Sequence, residues 1–225
     1  MDVVSATQEV RSRTAKADVL ALLLLIRVAR YLIGQREVVI NYPYQDNPSQ
    51  FDCDTDADWA GDVTTRLSTT AGALMHGVHW LEEWSVTQKL RALSSGDSEF
   101  YAQGSGAARG LLMKHLGQEA GEPKKTLVLH RDSVANRGMG AGKCRHIEMK
   151  WLWLQQAMDE KKLATKHVPT ESNIAGIATK GLTSDRIWKF GWSVLCSSQW
   201  RQTRERRVLT VKRAHPRGDE SLSVK

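Results

Sequence analysis

From Gln50 the chain alternates with a period of two. Phe51, Cys53, Thr55 and Ala57 are interleaved with Asp52, Asp54, Asp56 and Asp58. Successive side chains of an extended strand point to opposite faces, so the four carboxylates share one face. Like charges that close repel, and burial makes their charged forms costlier still. A fold that keeps such a stripe either leaves it solvated at a sheet edge or satisfies it with water or a cation. The pattern alone leaves both readings open.

Two familiar cation and phosphate motifs are excluded by spacing. Asp54, Asp56 and Asp58 fit the first, third and fifth places of a calcium loop. Its sixth place, which needs Gly, holds Trp59, and its twelfth, which needs Glu, holds Thr65. The glycine-rich stretch ending at Lys143 imitates a phosphate loop, but Arg137 stands where the first Gly belongs and Cys144 where Ser or Thr belongs.

The rest of the chain reads as a mixed α/β protein. Residues 16–33 predict an apolar helix, with Gly34 as a C-cap, and Glu37 to Tyr42 a short strand. Pro43, Asp46, Asn47 and Pro48 mark a loop and a domain boundary. Leu67 to Val78 and Trp80 to Val86 predict two strands joined near Gly77. A helix is expected from Leu93-Ser94-Ser95 to Leu116-Gly117, where Ser94 and Asp97 have capping-box spacing. Gly104, Gly106 and Gly110 each cost it ~1 kcal/mol relative to Ala. The helix therefore needs tertiary support or breaks near Gly104, and its glycines read as relaxed constraint. Thr126 to Leu129 is a short apolar run suited to a buried central strand. His146 to Glu160 predicts a helix, Lys162 to Val168 a strand, and Pro169-Thr170 the start of a short helix reaching about Lys180.

Composition bounds the function. Of 225 residues, 41% are hydrophobic and 25% charged, as in a globular protein. The longest apolar run, Leu20 to Ile26, is far short of the ~20 residues of a membrane span, and no signal-peptide pattern opens the chain. Cys53, Cys144 and Cys196 form no CxxC pair, which argues against a zinc ribbon or disulfide framework and for a reducing, intracellular compartment. The net charge of +7 is unevenly spread: +1 over residues 1–50, zero over 51–183 and +6 over 184–225. The basic end reads either as a solvated, disordered tail or as a sequence-independent contact to phosphate backbone.

Five ordered motifs carry a resemblance. Asp56-Ala57-Asp58-Trp59-Ala60-Gly61-Asp62 with Arg66 to Thr70 comes first. Ala92-Leu93-Ser94-Ser95 with Glu99-Phe100-Tyr101 follows. Then come Asp132-Ser133, Lys143-Cys144-Arg145-His146-Ile147-Glu148, and Val168-Pro169-Thr170 with Ile174-Ala175 and Thr179-Lys180-Gly181-Leu182. Together they resemble the ribonuclease H domain of copia-type retrotransposon Pol polyproteins, from about residue 51 to 183. The stretch Ile26 to Gly34 is similar to the end of the reverse transcriptase region that precedes that domain.

The resemblance implies a ribonuclease H-like fold, a five-stranded mixed sheet flanked by helices. Its divisions would be a reverse transcriptase remnant at 1–48, the ribonuclease H-like domain at 49–183, a C-terminal helix at 184–200 and the basic tail at 201–225. It implies cleavage of the RNA strand of RNA–DNA hybrids, with two magnesium ions (manganese as a substitute) held by carboxylates. It also implies the rest of a reverse transcriptase polyprotein as a partner, and no membrane. Position by position, Asp56, Glu99 and Asp132 match the family's catalytic and metal-binding carboxylates. Asp58 is a further candidate on the same strand face, and Asp97 is expected to cap its helix. The family's fourth carboxylate falls on Gly176, which has no side chain to coordinate with. That departure implies an impaired enzyme, or a degenerate domain that at most binds nucleic acid through its tail. Lys143, Arg145 and His146 are expected to meet substrate phosphate at a helix N-terminus, or else to be solvated charges and a packed histidine. Trp151, Trp153 and Leu154 at helical spacing suit a core better than a base-stacking platform.

Overall fold

A computed structural model describes residues 3–14, 18–34, 40–132, 149–179 and 209–211. Its centre is a five-stranded mixed sheet in the order β4-β3-β2-β5-β6, formed by β2 (Gln50–Ala57), β3 (Thr69–His76), β4 (His79–Thr87), β5 (Thr126–Arg131) and β6 (Leu163–His167). The first three strands are an antiparallel meander, and β5 and β6 add in parallel. The meander needs only tight turns, and Gly77, at φ +60°, supplies the positive φ that a two-residue hairpin turn demands. Each parallel addition needs a crossover, supplied by the helices α3 (Ser95–Glu119) and α4 (Met149–Asp159). The five-stranded mixed sheet flanked by helices that the resemblance implies is therefore present.

Both faces of β2 are covered, which settles the choice left open by the aspartate stripe: this is the central strand and not a solvated edge. On one face Phe51 and Cys53 join Leu74, Trp84, Phe100, Ala107, Leu127, Leu129, Leu154 and Leu163 in the apolar core under α3 and α4. Leu154 is fully buried and Trp153 packs against this core, as expected for a core helix.

Helix α3 runs unbroken through Gly104, Gly106 and Gly110, so of the two outcomes left open, tertiary support and a break near Gly104, the first holds. The reason is contact. A Cβ on Gly106 would sit 2.5 Å from Thr55 Cγ2, and one on Gly110 would sit 2.5 Å from Leu127 Cδ1. These glycines let the helix backbone approach the sheet, and the burial gained there offsets their helix-propensity cost. The start is fixed by the capping box: Ser94 Oγ accepts from Asp97 N at 3.2 Å, and Asp97 Oδ2 accepts from Leu93 N at 3.1 Å.

Other departures are local. The expected helix after Pro169 is two short 3-10 turns, Thr170–Ser172 and Ile174–Ile177, separated by Asn173. An unanticipated helix, α1 (Val4–Ser12), docks on β4, with the Gln8 amide 2.8 Å from Thr87 Oγ1. The expected 16–33 helix is α2 (Val19–Gly34), and it touches α1. Of the strand expected at 37–42, the described part is β1 (Ile40–Tyr42). It pairs antiparallel with β7 (Leu209–Val211), so three residues of the tail expected to be disordered are in a strand. The expected 184–200 helix and the rest of the tail lie outside the described residues. No helix among the described residues is long and apolar enough to cross a membrane.

The acidic face of β2 is electrostatically matched by β5. His130 lies beside Asp54 in the parallel register, with Nε2 3.2 Å from Asp52 and Nδ1 3.4 Å from Asp54. Hydrogen bonds and charge from these two carboxylates outweigh burial and raise the His130 pKa to about 9. For Asp52, burial pushes the pKa up, but the His130 contact wins and holds it below the ordinary value.

Two predictions follow from this packing. Gly106→Ala should lower stability by about 1–3 kcal/mol despite its better helix propensity, because the new methyl overpacks Thr55. Gly117→Ala, whose Cβ would meet nothing closer than 3.8 Å, should be neutral or stabilising by up to ~1 kcal/mol. Urea titrations of both variants check the contrast. The second concerns pH. His130 gains a proton affinity on folding, so its contribution is complete below its ordinary value of 6.5 and is lost as pH rises through about 9. Stability should therefore decline between those values, and His130→Gln should flatten the decline; equal wild-type urea midpoints at pH 6 and pH 9.5 would contradict this.

Candidate active site

The carboxyl end of β2 carries Asp56, the second turn of α3 carries Glu99, and the residue after β5 is Asp132. Their elements are set by unrelated local causes: the alternating run of β2, the Ser94 cap of α3 and the apolar run of β5. The sheet nonetheless brings them together. One carboxylate oxygen from each lies within 4.8 Å of the other two. Asp56 is 1% exposed, Glu99 8%, and Asp132 is half-buried, so the group opens to solvent on one side.

The surrounding backbone orients these side chains. Glu99 Oε1 accepts the Ala57 N–H at 3.3 Å, which ties α3 to the end of β2. Thr179 Oγ1 donates to Asp56 Oδ2. The same hydroxyl lies 3.4 Å from the Gly176 carbonyl, so the 3-10 turn and Asp56 share one bridge. Asn173 anchors that turn. Its Nδ2 donates to Thr55 O at 2.9 Å and its Oδ1 accepts from Ala175 N at 3.1 Å, with the side chain 1% exposed. Gly176 is thus buried in a turn that leans on β2 and β3 beside Asp56.

Three carboxylates from three elements form a hard, all-oxygen donor set. At this separation and burial their mutual repulsion is large, and a divalent cation relieves it. The residues present therefore fit a magnesium or manganese site better than a softer metal, since neither cysteine nor histidine joins the cluster among the described residues.

Not every expected residue is brought in. Asp58 lies on the same strand face, but its carboxylate accepts the Thr69 N–H, and Asp58 N donates to Thr69 O at 3.1 Å. Burial raises its pKa, against hydrogen bonds from Thr69 and Gly61 that lower it. Its carboxylate closes the loop between β2 and β3 and does not join the cluster of three. Asp97 caps α3 as expected. Lys143, Arg145 and His146 lie outside the described residues, as does Ser133. Asn173 and Thr179 were not singled out as site residues by the sequence. The signal for Asn173 was available, since Asn directly before a helical turn is a favoured cap.

No protein-family model matches the chain. It is 28% identical over 131 residues to the retrovirus-related Pol polyprotein from transposon TNT 1-94 of Nicotiana tabacum, a match covering 56% of this chain and 10% of that protein. It is 27% identical over 168 residues to the Pol polyprotein from transposon RE2 of Arabidopsis thaliana, covering 71% of this chain and 11% of that protein. The chain thus spans about a tenth of the length of these curated relatives. Among solved structures it is similar to LC11-RNase H1 in complex with an RNA/DNA hybrid, at TM-score 0.40 and 14% identity over 55% of this chain and 88% of that one. It is also similar to the N-terminal RNase H domain of rv2228c from Mycobacterium tuberculosis, at TM-score 0.39 and 13% identity over 64% and 98%. In sequence the chain is similar to copia-type Pol polyproteins of plant transposons, and its sheet joins three antiparallel and two parallel strands in the order β4-β3-β2-β5-β6.

Proposed function

We propose that this chain is the ribonuclease H-like nuclease segment of a retrotransposon Pol polyprotein, which hydrolyses the RNA strand of RNA–DNA hybrids. The observation that carries the reading is the meeting of Asp56, Glu99 and Asp132 oxygens within 4.8 Å of one another. These three residues would hold two divalent cations, magnesium by the hardness of the donors. When bound, the metal supplies Lewis-acid stabilisation of the phosphoryl oxygens and a water acidic enough to act as a nucleophile near neutral pH.

The chain's own residues prepare the site for that chemistry. Ala57 N–H fixes one oxygen of Glu99 and so holds its carboxylate at the end of β2. Thr179 holds Oδ2 of Asp56 and so sets which oxygen is offered to a cation. Asp132, the most exposed of the three, lies on the side from which a phosphodiester would enter. His130, pinned by Asp52 and Asp54, braces the strand that leads to Asp132.

Gly176 sets the level of activity. The turn it occupies reaches Asp56 through Thr179, so an acidic side chain there would add a fourth carboxylate to the cluster. Its absence weakens one metal position and slows cleavage. Gly176 also favours a second reading, a domain that keeps the fold and binds nucleic acid without cutting it.

Cleavage of a labelled RNA–DNA hybrid in magnesium or manganese decides between them. Asp56→Asn and Asp132→Asn should each lower the rate by at least ~100-fold, more than loss of a group that only supports a ligand. Full activity in the double variant would place the chemistry elsewhere. Gly176→Asp should raise the magnesium-dependent rate on the order of ten-fold and lower the magnesium concentration needed for half-maximal rate. A wild type without activity, together with a Gly176→Asp variant that cleaves, selects the degenerate reading.

A further inference from the structure

Helix α2 turns an apolar face to solvent. Val19 is 75% exposed, Leu22 57% and Ile33 64%. Ala21 is the buried residue of the helix, and Leu24 and Val28 are half-buried. These three stand at i, i+3 and i+7, the spacing of one helical face, and α2 packs on α1. The start of the helix is held by Asp18. Its Oδ1 accepts the Ala21 N–H at 2.7 Å as an N-cap, and its Oδ2 lies 3.7 Å from Arg13. Cap and ion pair together orient α2 with its outer residues away from α1.

The outer residues follow a second spacing. Val19, Leu22, Ile26, Ala29 and Ile33 recur at intervals of three, four, three and four. That is the a and d pattern of a coiled coil, with β-branched Val19, Ile26 and Ile33 at a, and Leu22 and Ala29 at d. At 3.6 residues per turn this stripe is centred roughly 150° round the helix from Ala21, Leu24 and Val28. A helix that serves only its own chain needs one apolar face; α2 has two, nearly opposite. Leu25 and Leu32, at the flanking g positions, widen the outer one.

We propose that this stripe is a self-association surface, on which a second copy of the chain lays its own α2 in parallel about a two-fold axis. The residue types select that occupant. Branched residues at a with Leu at d favour two parallel strands. Parallel pairing sets all five layers against their own copies, whereas antiparallel pairing matches a with d and leaves one end residue without a layer. The flanks agree: Arg30 at e meets Leu25 of the second copy, and Leu23 meets Asp18, so no like charges oppose. Helix α1 lies on the far side and does not obstruct the seam. Sixteen residues span about 24 Å. The pair therefore buries on the order of 1,000 Å² in total, the size of a reversible complex and not of an obligate dimer. The proposal needs nothing from the nuclease reading.

Sedimentation equilibrium of the full chain, from about 1 to 200 μM, tests it. Wild type should pass from the mass of one chain towards that of two, with a midpoint on the order of 10 μM. Leu22→Lys puts a charge into the seam and should weaken the association at least ~10-fold. Leu20→Lys, on the flank of the same turn, should stay within about two-fold. Both leucines are about half exposed, so neither change empties the core, and a thermal melt at low concentration confirms folding of each variant. Val19→Lys and Ile33→Lys should each weaken the pair, and loss at one end only would overturn the parallel seam. A wild type that stays monomeric throughout overturns the proposal and leaves the stripe to another segment of a longer polypeptide. So do a mass beyond two chains, an equal loss in Leu20→Lys and Leu22→Lys, or a dimer that Leu22→Lys leaves intact.

Discussion

The close approach of α3 to β2 is the contact on which the site depends. Glu99 reaches Asp56 only because the helix axis lies near enough to the sheet for its second turn to meet the end of the strand. Gly106 against Thr55 and Cys53, and Gly110 against Leu127, set that height. An ordinary side chain at either place would lift the helix, and the carboxylate at 99 would move with it. The Ala57 N–H to Glu99 Oε1 bond records the result at the other end of the lever. Packing on the apolar face of β2 therefore governs chemistry at its acidic end.

That face-to-face division explains how one strand serves two purposes. Its odd-numbered residues face the core, and its even-numbered residues from Asp52 on are acidic, with Asp54 and Asp56 buried. Buried carboxylates persist only with partners, and each aspartate of the stripe has one. Asp52 and Asp54 take His130, Asp56 takes Thr179, and Asp58 takes the backbone of its own loop. Only Asp56 stands where carboxylates from two other elements arrive. The others neutralise, brace or close the strand that presents it.

The strands and the long helix were legible because their signals are local. Alternation from Gln50, the Ser94 and Asp97 cap, and the apolar run at Thr126 each needed only neighbours in sequence. The three clustered carboxylates were legible through motif words that resemble a known family, since nothing local ties 56 to 99 and 132. What the sequence hid was contact-dependent. Gly104 to Gly110 read as weakness because helix propensity takes no account of a sheet 2.5 Å beyond an absent Cβ. Asp58 read as a further candidate because alternation gives a face and not a hydrogen-bond partner. Helix α1 was missed because it buries no residue of its own and is held by its contacts with β4 and α2.

Gly176 is the point where fold and chemistry part. Its turn is kept in place by Asn173, whose two hydrogen bonds reach β2 and the turn itself, and by the Thr179 bridge to Asp56. None of these contacts needs a side chain at 176, so the turn keeps its place without one. Loss of the acid at 99 would be different, because Glu99 closes a backbone bond to Ala57 as well as facing the cluster. The fold therefore makes the least demand on a side chain at the turn, and that is the position at which this chain departs from the pattern it otherwise resembles.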